Sequence, residues 1–145
     1  EVINETMEVG GQKMVFCAAS IGNPHCVIGC NEVCEEEARR LGPMIENDKR
    51  FANRTNVQFV KVIDRRNIQI EIWERGAGYT LASGSSSCAA AAVVKRLGLC
   101  DGEIIVRMPG GELAISVRDD FSVKMSGAVT KVADGTICDE MFESQ

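Results

Sequence analysis

The stretch "ERGAGYTLASGSSSCAAAA", from Glu74 to Ala92, decides the fold. A strand-like segment gives way to glycines, then to a serine and glycine cluster, and then to a run of alanines. Serines at positions 83–86 are suited to cap the N-terminus of a helix, and Gly98 is suited to end it. Alanine side chains let such a helix lie close against a surrounding sheet. The stretch therefore predicts a buried helix that begins near positions 83–87.

The segments on either side of this helix favour strands. Residues 2–30 contain short apolar runs separated by glycine and proline, which is typical of extended chain. In "VQFVKVIDRRNIQIEIWE" (57–74), apolar residues alternate on both sides of the turn-like "DRRN", so we predict a β-hairpin. Three further strands are predicted after the helix, in "EIIVRMP" (103–109), "GELAISVR" (111–118) and "FSVKMSG" (121–127).

A second helix is predicted in "NEVCEEEARRLGPMIEN", residues 31–47. Three glutamates lie near its start, where the helix dipole favours acidic side chains. We expect Gly42 and Pro43 to end it. The resulting order of elements is β, α, ββ, α, βββ, which is typical of an α+β domain rather than of alternating βα units.

Composition limits the class of protein. The chain has 145 residues, 45% of them hydrophobic and 26% charged, which fits one globular domain with its own core. A net charge of -5 argues against a nucleic-acid partner bound through phosphate contacts. No apolar run reaches about 18 residues and no secretory signal is visible, so we expect no membrane association.

The seven cysteines are expected to be reduced thiols of a cytoplasmic protein, because their number is odd and they form no compact CxxC pairs. Cys26, Cys30 and Cys34 recur every four residues near His25, and on a helix they would form one face that could bind a metal. The flanking "HCVIGC" instead favours a strand and turn, which would scatter them. We therefore expect no metal site.

The start of the alanine-rich helix is a candidate anion site. Its first backbone N–H groups have no partner within the helix, and they carry the positive end of the helix dipole. Gly84 lets a ligand approach the backbone closely. The alternative is an ordinary capped helix, so this turn alone is a weak signal.

Polar residues elsewhere in the chain strengthen the case for a binding site at the start of this helix. "ERGAG" places Glu74 and Arg75 at the end of a strand, and "GNPHC" places Asn23 beside His25, which is the chain's only histidine. Asn56 stands where the next strand begins. Each of them also has a plain structural interpretation, as a turn residue, a cap, a buried histidine or a surface ion pair.

These segments, in this order, resemble the C-terminal half of the diaminopimelate epimerases. The combination of "GNPH" with "ERGAG" is specific to that family, and the resemblance covers nearly the whole chain. The matching pieces are "SIGNPHCVI" (20–28), "LGPMIEN" (41–47), "NRTNVQFVKV" (53–62), "ERGAGYTLASGSSSCAAA" (74–91), "MPGGELAI" (108–115) and "VKMSGAVTKVADG" (123–135).

The resemblance implies a cofactor-independent epimerase that inverts the α-carbon of an amino acid by proton transfer between two bases. In the family each of two pseudo-symmetric α+β domains is a mixed or antiparallel sheet wrapped around a central helix, and each supplies one cysteine. The family substrate is LL-diaminopimelate, which becomes the meso form in lysine and peptidoglycan synthesis. Residues 1–145 would be the C-terminal half, and the N-terminal domain, absent from this sequence, would be its partner. A homodimer is left open.

The resemblance also assigns roles to individual residues. His25 and Glu74 would set the protonation of the catalytic acid and base, and Ser83 occupies the position of the family's catalytic cysteine. Substrate binding would fall to the side chains of Asn23, Asn56, Glu74 and Arg75 and to the backbone amides of Gly84 and Ser85.

Two departures from the family put the reaction in question. Ser83 stands nine residues after Glu74, where the family has cysteine, and a serine hydroxyl does not ionise near pH 7. Tyr79 replaces the family's glutamate after "GAG". The serine could define a natural branch, which we favour, or be an engineered change, or be replaced in function by Cys88. The alternatives for function are a racemase of another amino acid such as histidine, a one-base lyase, or a binding domain without catalysis.

Two further expectations follow from the missing half. Residues 1–145 alone should show no epimerase activity, because inversion needs a base on each face of the α-carbon. The tail from Asp134 to Gln145 should be poorly packed, since its few large apolar residues lack a partner surface.

Overall fold

The structure, a computed structural model, describes residues 1–142 and contains two helices and nine strands in that range. Neither helix there is long and apolar enough to cross a lipid bilayer. The elements in chain order are β1 (Val2–Val9), β2 (Gln12–Ser20), β3 (Pro24–Gly29), α1 (Glu35–Glu46), β4 (Asn56–Asp64), β5 (Asn67–Glu74), β6 (Gly78–Thr80), α2 (Gly84–Arg96), β7 (Glu103–Met108), β8 (Gly111–Val117), β9 (Val123–Ser126) and a 3-10 turn at Asp139–Phe142.

All nine strands belong to one mixed sheet in the order β1-β2-β3-β4-β5-β7-β8-β9, with the short β6 beside the end of β5. The pairs β3–β4 and β5–β7 are parallel, and the other pairs are antiparallel. Helix α2 packs against strands from β2 to β5 and from β7 to β9. The sheet therefore wraps around a central helix, and the predicted α+β fold is confirmed.

The composition of α2 explains how one helix can contact so many strands. Ala89, Ala90 and Ala91 are fully buried, and their small side chains let the surrounding strands come close. Ser83 caps the N-terminus of the helix, as the sequence predicted. After its last turn the chain reverses at Gly98, which has a positive φ of 70° that favours glycine.

Helix α1 covers the opposite face of the sheet. Its Leu41 and Ile45 are fully buried in a second hydrophobic cluster, together with Phe16 and Phe59 from the strands. The two helices therefore lie on different sides of one sheet, and each side has its own core.

The prediction that Gly42 and Pro43 end α1 is wrong, because the helix continues through both residues to Glu46. A Cβ atom on Gly42 would lie 2.4 Å from Cγ of Trp73, so glycine here permits a close approach of helix and sheet. Burial of the helix outweighs the weak helix propensity of the two residues. The last turn is closed by Asn47, whose Nδ2 donates to the carbonyl of Pro43 at 2.8 Å.

The predicted hairpin is confirmed as β4 and β5, with its turn at Arg65 and Arg66. The extended chain over residues 2–30 is confirmed as β1 to β3, and the three strands after α2 are confirmed as β7 to β9. The three-residue strand β6 was not predicted, because it is short and lies among turn residues. It pairs with β5, and Thr80 lies opposite Ile72.

The three regularly spaced cysteines do not share a face, as the strand and turn interpretation predicted. Cys26 is buried in β3, Cys30 follows the end of that strand, and Cys34 is the exposed cap of α1. Burial raises the pKa of the Cys30 thiol to about 11. Within residues 1–142 no three His, Cys, Asp or Glu side chains come together in a way that could hold a metal ion.

The C-terminal tail is exposed over the residues that the structure describes. Every residue from 124 to 142 is exposed, including Ile137, Met141 and Phe142, of which Phe142 has 73% of its surface in solvent. The prediction of a poorly packed tail is confirmed for 134–142. Residues 143–145 lie outside the described part.

Candidate functional site

Four segments that are distant in sequence meet at the N-terminal end of α2. His25, at the start of β3, pairs with Asn56, at the start of the parallel strand β4. Because β5 runs antiparallel to β4, its end at Glu74 comes beside the start of β4. The structure therefore brings the predicted residues to one end of the sheet, on the face that α2 covers.

Ser83 acts as the N-cap of α2. Its Oγ accepts a hydrogen bond from the backbone N–H of Ser86 at 3.4 Å and lies 3.3 Å from Oγ of Ser85. Its carbonyl accepts from Ser87, both from the backbone N–H at 3.1 Å and from the hydroxyl at 2.8 Å. The side chain at the family's cysteine position thus has a structural role as well as its predicted catalytic one.

The next two backbone amides are free for a ligand. The N–H groups of Gly84 and Ser85 have no hydrogen-bond acceptor in the part of the chain that the structure describes, as expected for the first turn of a helix. The Cβ position of Gly84 lies 2.8 Å from Sδ of Met125, so the thioether covers this turn from the side of β9. The arrangement fits the predicted anion site.

His25 is almost fully buried, with 1% of its surface exposed, on the sheet face where Gln58 reaches the first turn of α2. Its Nε2 lies 3.0 Å from Oδ1 of Asn23, while its Nδ1 has no partner in the described structure. Burial lowers the pKa of His25, the hydrogen bond of Gln58 and the charge of Glu74 raise it, and Arg75 lowers it. Burial dominates, so the neutral ring is favoured.

Asn56 ties two segments of the site together. Its Nδ2 donates to the carbonyl of Pro24 at 3.0 Å, and its Oδ1 accepts from the backbone N–H of Arg75 at 3.0 Å. The amide therefore fixes the "GNPH" turn against the "ERGAG" turn. Its predicted contact with substrate stays a prediction.

A polar cleft of about 440 Å³ opens next to these turns. Arg75 borders it and donates from its guanidinium to the carbonyl of Asn53 at 3.0 Å. Arg54 and Asn23 also line the cleft, and the guanidinium of Arg54 is paired with the Glu46 carboxylate at 2.9 Å. The guanidinium of Arg75, which has no carboxylate partner among the described residues, and the neighbouring amides are suited to bind an anionic group.

Glu46 supports the "ERGAG" turn from the opposite face, and the sequence did not single it out. Its Oε1 accepts from Arg54 at 2.9 Å and from the backbone N–H of Gly76 at 3.0 Å, and its Oε2 accepts from the Trp73 indole at 2.7 Å. The spacing of four residues from Gly42, on the buried side of α1, was the available signal. The signal could not be used at the level of sequence, because the predicted helix ended at Gly42 and Pro43, before it reached Glu46.

Gln58 and Ser86 were also missed. Gln58 follows Asn56 by two residues in β4, so both side chains point toward α2. Its Nε2 donates to Oγ of Ser86 at 3.0 Å. In residues 1–142, three buried side-chain atoms have no hydrogen-bond partner, and by strand register all three belong to this face: His25 Nδ1, Gln58 Oε1 and Thr80 Oγ1.

Tyr79 does not belong to the site, although it departs from the family pattern. It pairs with Trp73 and therefore lies on the α1 face. Its hydroxyl donates to Oε2 of Glu71 at 2.7 Å, and the guanidinium of Arg39 stands 4.3 Å from its ring centre. Burial raises the pKa of its phenol, followed by the effect of Glu71. The residue stabilises the contact between sheet and helix.

Cys88 lies in the second turn of α2, about 7.5 Å along the helix axis from Ser83. Its side chain packs at the margin of the core around α2. Burial raises the pKa of its thiol, which disfavours the reactive thiolate. The placement favours a packing role over a replacement for the family's cysteine.

Comparison with known proteins identifies the relatives. The sequence model described as "Diaminopimelate epimerase" matches residues 17–132. "Diaminopimelate epimerase 2" from a Nostoc strain is 58% identical over 142 residues, covering 98% of this chain and 50% of that protein. "Diaminopimelate epimerase" from Stutzerimonas stutzeri is 40% identical over 138 residues, covering 94% of this chain and 50% of that protein.

Solved structures agree on the fold. A hydroxyproline epimerase from Agrobacterium vitis superposes with a TM-score of 0.61 at 11% identity, over 81% of this chain and 41% of that one. A phenazine biosynthesis protein of the PhzF family from Bacillus anthracis gives 0.53 at 17% identity, over 83% and 40%. The chain spans about half the length of the curated relatives it matches. By its sequence match over most of its length, the chain belongs to the diaminopimelate epimerase family.

Proposed function

We propose that the full-length protein epimerises LL-diaminopimelate to the meso form without a cofactor, and that residues 1–145 form the C-terminal half of its active site. The observation that carries the proposal is the meeting of His25, Glu74 and the free amides of α2 at one end of the sheet, in a chain whose relatives are named diaminopimelate epimerases. An N-terminal domain would complete the site.

The first turn of α2 is suited to bind the substrate's α-carboxylate. The amides of Gly84 and Ser85 point out of the helix, and the helix dipole adds positive potential there. Loss of the α-proton places negative charge on the α-carbon and its carboxylate. Amides that already face this charge stabilise the transition state without reorganisation.

The cationic cleft supports a substrate with a second carboxylate. Arg54 and Arg75 border it, and Asn23 can donate a hydrogen bond from its amide. Diaminopimelate carries a carboxylate at its far end, whereas the imidazole of histidine has no anionic group to match the guanidinium of Arg75. The cleft therefore favours the diacid, and the position of Tyr79 on the other face removes one argument for histidine.

Ser83 makes proton removal unequal on the two sides of the substrate's α-carbon. A hydroxyl can return a proton to a carbanion, but it removes one poorly because its pKa lies far above 7. In the full-length protein we expect the base of the other domain to remove the proton on its own face efficiently. Removal on the Ser83 face should be slow, so inversion should be slow in both directions, whereas the isomer whose α-proton faces the other domain's base should exchange that proton faster than it inverts.

Ser83 also favours a second candidate function. If the hydroxyl only caps α2, a single base remains, and the protein would exchange or eliminate at one face without inversion. Binding without turnover is the limiting case. The carboxylate site at α2 and the polar cleft would be the same in the epimerase, in a one-base enzyme and in a binding domain.

The deciding experiment follows the α-proton of LL- and meso-diaminopimelate in deuterium oxide with the full-length protein. Deuterium with inversion supports the epimerase. Exchange without inversion, or an unsaturated or keto product, supports one-base chemistry, and binding without exchange supports a binding domain. Residues 1–145 alone should invert neither isomer, and inversion by them would overturn the two-domain proposal.

Ser83→Cys provides the sharper test. A thiol at the helix N-terminus has a lowered pKa, so exchange from that face should rise at least about tenfold. Ser85→Cys is the matched control, because it introduces the same thiol two residues away from the cap. No gain in Ser83→Cys, or an equal gain in both variants, would contradict the proposed geometry.

A further inference from the structure

Gln58 is a fully buried amide that the proposed function does not use. It stands two residues after Asn56 in β4, and His25 is the cross-strand neighbour of Asn56, so Gln58 and His25 share a face of the sheet. At its other end Gln58 donates to Oγ of Ser86 at 3.0 Å, in the first turn of α2. Gln58 therefore links the histidine to the helix turn that carries Ser83.

Two atoms along this link lack partners in the described structure, Nδ1 of His25 and Oε1 of Gln58. Both atoms belong to buried side chains, so leaving them without hydrogen bonds costs free energy. By strand register the two side chains are diagonal neighbours on one face of the sheet, yet Nδ1 and Oε1 do not meet in hydrogen-bond geometry. A small change in either side chain would join them.

The chemistry of the amide allows two arrangements. With Oε1 toward the ring, Gln58 can only accept, which suits a proton on Nδ1. Turned by half a rotation, its Nε2 would donate to a bare Nδ1, and its Oε1 would accept from the Ser86 hydroxyl. Since Nε2 of His25 already lies against Oδ1 of Asn23, the first arrangement suits the charged ring and the second suits the neutral one.

We propose that Gln58 is a positioning residue that sets the protonation state of His25 by turning its amide, and that it couples this state to the first turn of α2. The use of this coupling in catalysis rests on the proposed function, whereas the coupling itself is a property of residues 1–145. Gln58 would thus decide whether His25 faces the reacting groups as an acid or as a base.

The charged groups around His25 make such control effective. Glu74 favours the charged ring, while Arg75 and burial disfavour it. The strand neighbour on β2 is Ala19, and α2 contributes Ser86 through Gln58, neither of which titrates. Because the electrostatic effects oppose one another, one hydrogen bond can decide between the two states.

The test uses the fact that the chain has one histidine, so its imidazole gives one set of nitrogen NMR signals. Gln58→Met keeps the length of the side chain and removes both donor and acceptor. We expect it to lower the pKa of His25 by about one unit, a tenfold loss of proton affinity. Gln58→Glu, an anionic acceptor, should raise that pKa by about one unit.

A second variant separates coupling from local contact. In Ser86→Ala, Nε2 of Gln58 loses its acceptor and should turn toward His25, which lowers the pKa of His25 and fixes the proton on Nε2. Gln69→Glu is the matched control, because it makes the same exchange on the other face of the sheet and should leave His25 unchanged. A Gln58 with a packing role only would predict no change in Gln58→Met and Ser86→Ala, whereas the added charge of Gln58→Glu raises the pKa in either case.

The outcomes are distinguishable from those of the proposed function. An unmoved pKa and tautomer in folded Gln58→Met overturns the inference, even if the full-length protein epimerises diaminopimelate. A shifted His25 in a full-length protein without exchange leaves the inference and removes the proposed function. Where both hold, Gln58→Met should shift the pH profile of kcat and change KM less. If Gln58→Glu does not fold, Gln58→Met and Ser86→Ala decide.

Discussion

The two faces of the sheet differ in how many of their buried polar groups have hydrogen-bond partners. On the α1 face Glu46 accepts three hydrogen bonds, and Glu71 accepts from Tyr79. On the α2 face, within residues 1–142, buried atoms of His25 and Gln58 lack partners, and so do the first amides of the helix. The first face is built for support, and the second leaves groups available for a ligand.

The difference shows how the site is held open. A buried polar group without a partner costs about 1–3 kcal/mol, so such groups persist only where the surrounding structure fixes them. Glu46 holds the backbone of Gly76 from below, and Asn56 holds that of Arg75 from within the site. Arg75 and Gly76 directly follow Glu74, so these two hydrogen bonds fix the backbone that carries the Glu74 side chain. The hydrogen bonds of the α1 face therefore help to hold the unpartnered groups of the α2 face in place.

The largest effect is expected from removing the support. Glu46→Ala leaves the indole N–H of Trp73 and the amide of Gly76 unpaired, at about 1–3 kcal/mol each. Arg54 is half exposed and regains water, so it adds little. We expect a loss of about 3 kcal/mol in the free energy of unfolding, and about 1 kcal/mol for the isosteric Glu46→Gln. Urea unfolding followed by the single tryptophan measures both, and equal small losses would show that the α1 face is not a support.

A pair of glycines compares the faces directly. Gly42→Ala would place a methyl group 2.4 Å from Cγ of Trp73, near the root of a side chain that cannot move away. Overpacking of about 3 kcal/mol, offset by about 1 kcal/mol of helix propensity, should destabilise by about 2 kcal/mol. Gly84→Ala meets only the thioether end of Met125, which is half exposed and can turn aside.

For Gly84→Ala we therefore expect a change in unfolding free energy within about 0.5 kcal/mol, because the loss is confined to a flexible contact. In the full-length protein the same methyl group should block the carboxylate site and abolish exchange. Unfolding and exchange assays on both variants make the comparison. Similar losses of stability would break the distinction between the two faces.

The smallest effect is a dependence on pH that only the α2 face should show. Burial lowers the pKa of His25, whereas an unfolded histidine titrates near about 6.5. Below that pH the unfolded chain binds the extra proton first, so stability should fall as pH falls toward the lower native pKa. The slope is at most about 1.4 kcal/mol per pH unit, and the effect is absent above about 6.5. His25→Gln should remove this slope in unfolding measurements between pH 7 and pH 5, and an unchanged slope would assign it to other groups.

Local patterns made most of the elements predictable. Alternation in β4 and β5, the serine cap of α2 and the glycine after it involve residues close in sequence, whose preferences do not depend on the rest of the chain. The residues at the site were found by resemblance, since Asn23, Asn56 and Glu74 are far apart along the chain. Their roles in catalysis stay predictions.

By itself, the sequence determined the order of elements and the capped alanine helix, and the replacement of the family's cysteine by Ser83 stays a prediction from the resemblance. Only the tertiary structure decided that α1 continues past Pro43, that Tyr79 faces away from the site, and that Glu46 and Gln58 hold its two sides. The reason is physical. Caps and periodicities act over a few residues, whereas close approach, face and hydrogen-bond partner are set by elements that meet only in the folded chain.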